Sequence, residues 1–460
     1  MITPRPIPSN RMRHVLLAGL ALAGAGCRKA PPDGVALVGG TVIDGAGGAG
    51  KPDMVVIVRR DLIEAIVPRA DYKLPKRTVE IDVTGKYVIP GLIDGHGHVA
   101  RWALPRYLAA GITTVRDVHG QFDSIVALRE AANLGAITGP RIYTAGAMID
   151  GTPITLPDAL PASDGPEARR QVDKLAIAGV DYVKAYGRIT PSMLKDIVDE
   201  AQTFGLKVTA HLGFTDALQA ADAGVRSIEH LSGVPEAAAK KPEPIFAAHR
   251  AGFWPGWTAF EKAWTGLDSA SLDRVAKALV KKEIIVIPTL VLHETFAKID
   301  PASPLSDPAI KAFVPDSEVL KWNVRDMLAR AGWDAADYEE LRAARANQDL
   351  FVRLYRAAGG KVVAGTDASI QLMVPGISLH RELSLLVRAG FTPGQALSAA
   401  TRDAALLLGA DSIGMIVPGM KADMVVLEGD PLADISNLSS VSVVVLKGQV
   451  LPADSIRTAW

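Results

Sequence analysis

An α/β fold is predicted for this chain of 460 residues, and three observations predict it. From residue 88 to residue 365, short apolar segments alternate with stretches whose apolar residues recur at three and four positions, the pattern of repeated βα units. Both ends of the chain carry β-branched or alternating segments punctuated by turn residues, so two β-rich ends flank one long middle. Side chains able to do chemistry stand where the apolar segments stop. Eight strand–helix units over about 320 residues match a (β/α)8 TIM barrel with insertions. The terminal segments together read as a small discontinuous β-sandwich domain.

Residues 1–33 stand outside that fold. Arg5, Arg11 and Arg13 precede an apolar run from Val15 to Gly26, the charged and hydrophobic parts of a secretory signal, and the run is too short to span a bilayer comfortably. It ends at Gly24-Ala25-Gly26-Cys27, which resembles a bacterial lipobox with glycine in place of the usual leucine. The expectation is export, as a periplasmic or outer-membrane-anchored lipoprotein lipidated at Cys27, or with the signal simply cleaved. Cys27 is the single cysteine, which excludes an intrachain disulfide.

The first part of the sandwich is expected over 34–90, with β-like segments at 35–37, 41–44, 54–58, 62–67 and 78–83 broken by Gly-Gly, Pro-Asp and Thr-Gly. The barrel is expected over 91–410. Its strand candidates are 88–93, 113–116, 141–144, 182–184, 207–211, 227–229, 284–288 and 362–365, with helices such as 171–178 and 194–204 between them. Thr392-Pro393-Gly394-Gln395 announces a further helix, with threonine as N-cap, proline at the first helical position and glutamine at the third. The second part of the sandwich falls in 411–460, where 422–428 and 442–447 are strand-like and Gly419, Gly429-Asp430-Pro431 and Gly448 supply turns.

Fifty basic and fifty acidic side chains give a formal net charge of +0, which carries no electrostatic footprint for nucleic acid or a membrane surface. Hydrophobic content of 48% with 22% charged residues fits a folded globular chain with a large core. A small-molecule substrate is the expected partner, and homo-oligomers are expected of barrels of this size.

The chemistry begins at Tyr87-Val88-Ile89-Pro90-Gly91-Leu92-Ile93-Asp94-Gly95-His96-Gly97-His98. In a strand, residues i and i+2 point to one side, so His96 and His98 can reach one cation together. Later strand candidates end in Lys184, in Ala210-His211, in Glu229-His230 and in Thr366-Asp367. Five further residues follow strand ends and are candidates to touch substrate: His119, Tyr186, Arg188, His293 and His380. Glu229 reads as a support for its neighbours, and Arg116 with Asp117 as a structural pair. Phe253, Trp254, Trp257, Phe260 and Trp264, with the apolar loop 370–375, suggest a hydrophobic pocket.

In order and in strand context, these six strand-end residues resemble the ligand set of the amidohydrolase superfamily, in the binuclear branch with a carboxylated lysine that includes imidazolonepropionase-like, prolidase-like and ochratoxinase-like enzymes. The resemblance implies two divalent metal ions, zinc being expected. His96, His98 and Asp367 would hold the first, His211 and His230 the second, and Lys184 would bridge them as N6-carboxylysine. It implies attack by a metal-bridging hydroxide, with Asp367 moving the proton to the leaving nitrogen. The expected reaction is cleavage of the amide bond of an N-acyl or peptidyl amino acid with an apolar or aromatic part. Alternatives on similar sites are ring hydrolysis or deamination of the imidazolonepropionase type, and lactone or phosphotriester hydrolysis. Dipeptidases of this branch often carry a tyrosine after the strand-five histidine and Ser-Gly-Gly after the lysine. Here Leu212-Gly213-Phe214 and Ala185-Tyr186-Gly187 stand in those places.

Overall fold

The computed structural model describes residues 33–458. The signal-like segment and Cys27 lie outside the described residues. Among the described residues no helix is long and apolar enough to cross a membrane.

The chain opens with strands β1 (Gly34–Val42), β2 (Lys51–Arg59), β3 (Leu62–Pro68), β4 (Thr78–Asp82) and β5 (Tyr87–Pro90). The two short segments expected at 35–37 and 41–44 are one strand. Its register against β2 shifts between Val38 and Gly40, and Gly39 takes φ +85, where a Cβ would meet Thr84 Oγ1 at 2.5 Å. The kink that looked like a turn in sequence is a bulge.

Ten strands follow in the middle of the chain: β6 (Leu92–Gly97), β7 (Ile112–Asp117), β8 (Arg141–Thr144), β9 (Ile149–Gly151), β10 (Leu160–Ala162), β11 (Val183–Ala185), β12 (Val208–Ala210), β13 (Ser227–Glu229), β14 (Ile285–Ile287) and β15 (Lys361–Val362). The chain closes with β16 (Met424–Leu427), β17 (Val441–Leu446) and β18 (Gln449–Pro452). Strands from both chain ends share one eight-stranded sheet, in the order β18-β17-β16-β5-β1-β2-β3 with β4 on β1. A core of Leu37, Val56, Val88, Met424 and Val445 packs within it.

The run expected as a single strand at 88–93 is divided between the two bodies. β5 pairs with β1 and β16 in the terminal sheet, whereas β6 pairs with β7. Gly91 makes the crossing. A Cβ there would stand 2.0 Å from Thr113 Oγ1, so only glycine lets the chain pass so close to β7.

The middle strands form two all-parallel sheets, β6-β7-β8 and β10-β9-β11-β12-β13-β14-β15. Backbone bonds link them at both margins. Gly95 N donates to Ala364 O at 2.9 Å and Thr366 N to His96 O at 3.0 Å, while Asp181 N donates to Thr144 O at 2.9 Å. Strands β9 and β10 were not expected; Gly151 and Pro161 within them read as turn residues. Because the strands are parallel, their carboxyl ends face one way, which is what gathers the functional side chains.

Helices Gly165–Ile177 and Pro191–Thr203 cover the two expected ones up to their last residues, Ala178 and Phe204, which are C-caps, and start earlier, at Asp164 and Thr190 caps whose side chains accept from Glu167 N and Met193 N. Thr392 and Gln395 form the expected capping box at helix Pro393–Ala399. Between β14 and β15 the chain inserts a helical excursion from Leu290 to Ala357, ending in the long helix Ala335–Ala357.

Candidate active site

The carboxyl ends of β6, β11, β12, β13 and β15 open on one cavity of about 320 Å³, lined by His96, His98, Lys184, His211, His230 and Asp367. His96 Nε2 and His98 Nε2 stand 2.9 and 3.0 Å from Asp367 Oδ1. One ligand atom from each of these three residues lies within 4.8 Å of the others, the spacing of a metal-binding group. His96 and His230 rings are 4.3 Å apart and His230 and His211 rings 4.9 Å, so the second pair of imidazoles adjoins the first group.

Three of the four imidazoles are oriented by a partner on the Nδ1 nitrogen. His96 Nδ1 faces Glu229 Oε2 at 2.6 Å, His98 Nδ1 donates to the His119 carbonyl at 2.8 Å, and His230 Nδ1 meets Thr289 Oγ1 at 2.7 Å. Glu229 is itself held by Arg116 Nη1 at 2.9 Å and by the Thr209 hydroxyl. Arg116 and Asp117 are therefore not the pair their adjacency suggested: neighbours on β7 point to opposite faces. Asp117 instead accepts from Val99 N at 2.7 Å and Thr144 Oγ1 at 2.8 Å.

Burial pushes the His211 and His230 imidazoles well below the usual histidine range, which keeps them neutral, the form that binds a metal. Burial alone would raise the Asp367 carboxyl, but hydrogen bonds from His96 and His98 hold it well below the ordinary carboxylate range. Burial brings Lys184 down to about 8, and its Nζ has no hydrogen-bond partner. His230 and Asp367 both sit in the left-handed region, at φ +57 and +68. Non-glycine residues there cost about 1–3 kcal/mol, strain that collects where a side chain must be aimed.

The remaining candidates divide. Tyr186 lines the cavity beside His211, ring centroids 4.6 Å apart. His119 also lines it, but its Nδ1 accepts from Met148 N at 3.2 Å and its ring also bonds the Pro157 backbone, so it serves as a fixed wall. Arg188 lies in an adjoining cleft. His293 and His380 do not line the cavity. His293 bonds Glu261 and stacks on Trp257 at 5.6 Å, and His380 Nε2 donates to Ala110 O at 2.8 Å. Both sit on helices, where a position near a strand end does not set the side-chain direction.

Of the aromatic run, Phe253, Trp254 and Trp257 line the cavity with Ile370, whereas Phe260 and Trp264 belong to the core. Sequence reading missed Leu292, Phe296 and Met327, which the excursion after β14 sends into the same wall. Leu292 and Phe296 are four apart on helix Leu290–Lys298, a helical-face signal that could have found them.

The sequence profile of the Amidohydrolase family matches residues 87–451, from β5 to the last strand. The chain belongs to the amidohydrolase family. It is a hydrolase acting on carbon–nitrogen bonds, of a family whose members generally bind metals. This amidohydrolase is 26% identical over 395 residues to an uncharacterized protein of Mycobacterium tuberculosis, covering 79% of this chain and 85% of that one. It is 24% identical over 375 residues to the ochratoxinase of Aspergillus niger, covering 71% and 62%. The crystal structure of that ochratoxinase superposes with a TM-score of 0.66 at 21% identity over 92% of this chain and 96% of the other. A Xaa-Pro dipeptidase with methionine bound in its active site superposes with a TM-score of 0.67 at 21% identity, over 91% and 100%. At these identities the structural likeness speaks for the shared fold.

Proposed function

We propose that this amidohydrolase cleaves the amide bond of an N-acyl or peptidyl amino acid carrying an apolar or aromatic part, in a (β/α)8 barrel flanked by a β-sandwich built from both chain ends. The observation that carries the reading is the convergence of His96, His98 and Asp367 beside the buried, unpartnered Lys184 Nζ at one end of an apolar cavity.

The residues present fit a pair of divalent metal ions, zinc being the proposed metal. His96, His98 and Asp367 would hold one and His211 and His230 the other. An unpartnered ammonium among imidazoles suits neither metal. Lys184 carboxylated to N6-carboxylysine would offer a carboxylate to both, and burial favours the free amine that reacts with carbon dioxide. When bound, such ions supply Lewis acidity and make water nucleophilic near neutral pH.

The chain's own groups do the rest. Asp367 takes the proton of the attacking water at its carboxylate and delivers it to the leaving nitrogen. Tyr186, whose hydroxyl burial keeps protonated, supplies a donor to the substrate carbonyl. Phe253, Trp254, Trp257 and Phe296 enclose the apolar part and exclude water. Export, lipidation at Cys27 and homo-oligomer formation belong to the same proposal; labelling with a palmitate analogue tests the lipid.

The test is a panel of N-acyl amino acids, dipeptides, lactones and phosphotriesters given to the zinc-loaded protein. The reading expects amides to be turned over best. Turnover confined to lactones or phosphotriesters would overturn it.

A further inference from the structure

The cavity before the candidate metal ligands offers nothing to neutralise a substrate carboxylate. Among its described lining residues Lys184 is the only Lys or Arg, and that position belongs to the ligand group. An unpaired guanidinium stands next door. A narrow cleft of about 30 Å³ shares Tyr186, His211, Phe253 and Trp257 with the main cavity and carries Arg188 on its wall. Its free space suits a group of a few atoms, not a ring.

Arg188 is held in place by its backbone while its charge is left unspent. Its N–H donates to the buried Asp150 carboxylate at 3.0 Å, and a Cβ on Gly151 would meet its carbonyl oxygen at 2.3 Å. The preceding Gly187 carbonyl accepts from Phe214 N at 2.8 Å, and a Cβ on Gly213 would meet that oxygen at 2.6 Å. Two glycines thus let the loop carrying Arg188 pack against its neighbours. The guanidinium lies over the Phe214 ring at 5.9 Å, and among the described residues no carboxylate stands within ion-pair distance of it. Of the two histidines of the cleft, His249 is already spent on Glu236 at 2.8 Å and His211 belongs to the candidate ligand group. A half-buried, pre-positioned, unpaired guanidinium beside a reaction cavity matches the bidentate geometry of a carboxylate.

We propose that Arg188 is a specificity-determining residue that binds the α-carboxylate of the amino acid released from the amide, with the acyl part lying against the aromatic wall of the main cavity. This rests on the amide-hydrolysis reading above. It narrows the substrate class to amides whose amine side carries a free carboxylate within reach of the cleft.

The test compares the zinc-loaded full chain with Arg188→Gln and Arg188→Lys on N-benzoyl-L-leucine and on its neutral analogue N-benzoyl-L-leucinol. In Arg188→Gln the KM for the carboxylate substrate rises about 10–100-fold, as loss of a charged hydrogen bond predicts. The loss is confined to that substrate, and Arg188→Lys restores part of it. An equal change for both compounds, or none for either, overturns the proposal. Tryptophan fluorescence gives a second readout without turnover, because Trp254 and Trp257 line the cavity. L-leucine quenches it in the wild type and at least tenfold more weakly in Arg188→Gln, while L-leucinol binds both alike. Quenching by leucine that ignores the substitution, or none in the wild type, overturns carboxylate recognition. Absence of benzoyl-leucine turnover alongside Arg188-dependent quenching counts against the hydrolysis reading alone.

Discussion

Glu229 Oε2 stands 2.6 Å from His96 Nδ1 while the opposite ring nitrogen of His96 faces Asp367 at 2.9 Å. A carboxylate on Nδ1 fixes the ring plane and the tautomer, leaving Nε2 free to ligate. Glu229 in turn is clamped by Arg116 and Thr209, so the orientation of the first imidazole is set three residues deep into the strands.

Glu229→Gln keeps the shape but removes the charge that orients His96. The expected result is a loss of about 10–100-fold in metal affinity, measured by chelator competition, with the fold retained by circular dichroism. Unchanged affinity would mean that His96 is oriented by packing alone.

Lys184 carries the two-metal proposal. Metal analysis of the wild type is expected to find about two ions per chain, and Lys184→Ala one or fewer, as a lost bridging ligand predicts. About one ion per chain in both proteins would support a mononuclear site of the ring-hydrolase or deaminase kind.

Glu294 provides a test of the scaffold that is independent of the site. Burial would raise its carboxyl, but Lys298, Arg381 and Arg388 outweigh that and hold it at about 2 against an ordinary value of 4.5. A carboxylate depressed by folding contributes stability that is present above its unfolded value and lost as pH falls towards the folded one. Between pH 4.5 and about 2 the melting temperature of the wild type therefore falls more steeply than that of Glu294→Gln. Parallel curves in thermal melts would refute the account of this cluster.

What the sequence discloses follows from which side-chain directions a strand fixes. His96 and His98 are legible as a pair because a strand repeats every two residues, and Lys184, His211, His230 and Asp367 because parallel strands share one carboxyl end. His293 and His380 mislead because helical positions turn by 100° per residue. Leu292 reaches the cavity while His293 beside it turns to Glu261. The passage between the two bodies at Gly91 is hidden inside an unbroken apolar run, since periodicity cannot say which sheet a strand joins. Met327 comes from an excursion whose docking depends on tertiary packing, with no local signal in its residues.

Asp367, bonded to both His96 and His98, is proposed to move the proton of an amide hydrolysis at this cavity. The direct measurement is kcat of Asp367→Asn against the wild type on N-benzoyl-L-leucine, both zinc-loaded and both shown to be folded. A fall of about 10²–10⁴ is predicted, the range expected on losing a general acid–base group. Near-normal turnover by Asp367→Asn would contradict the account.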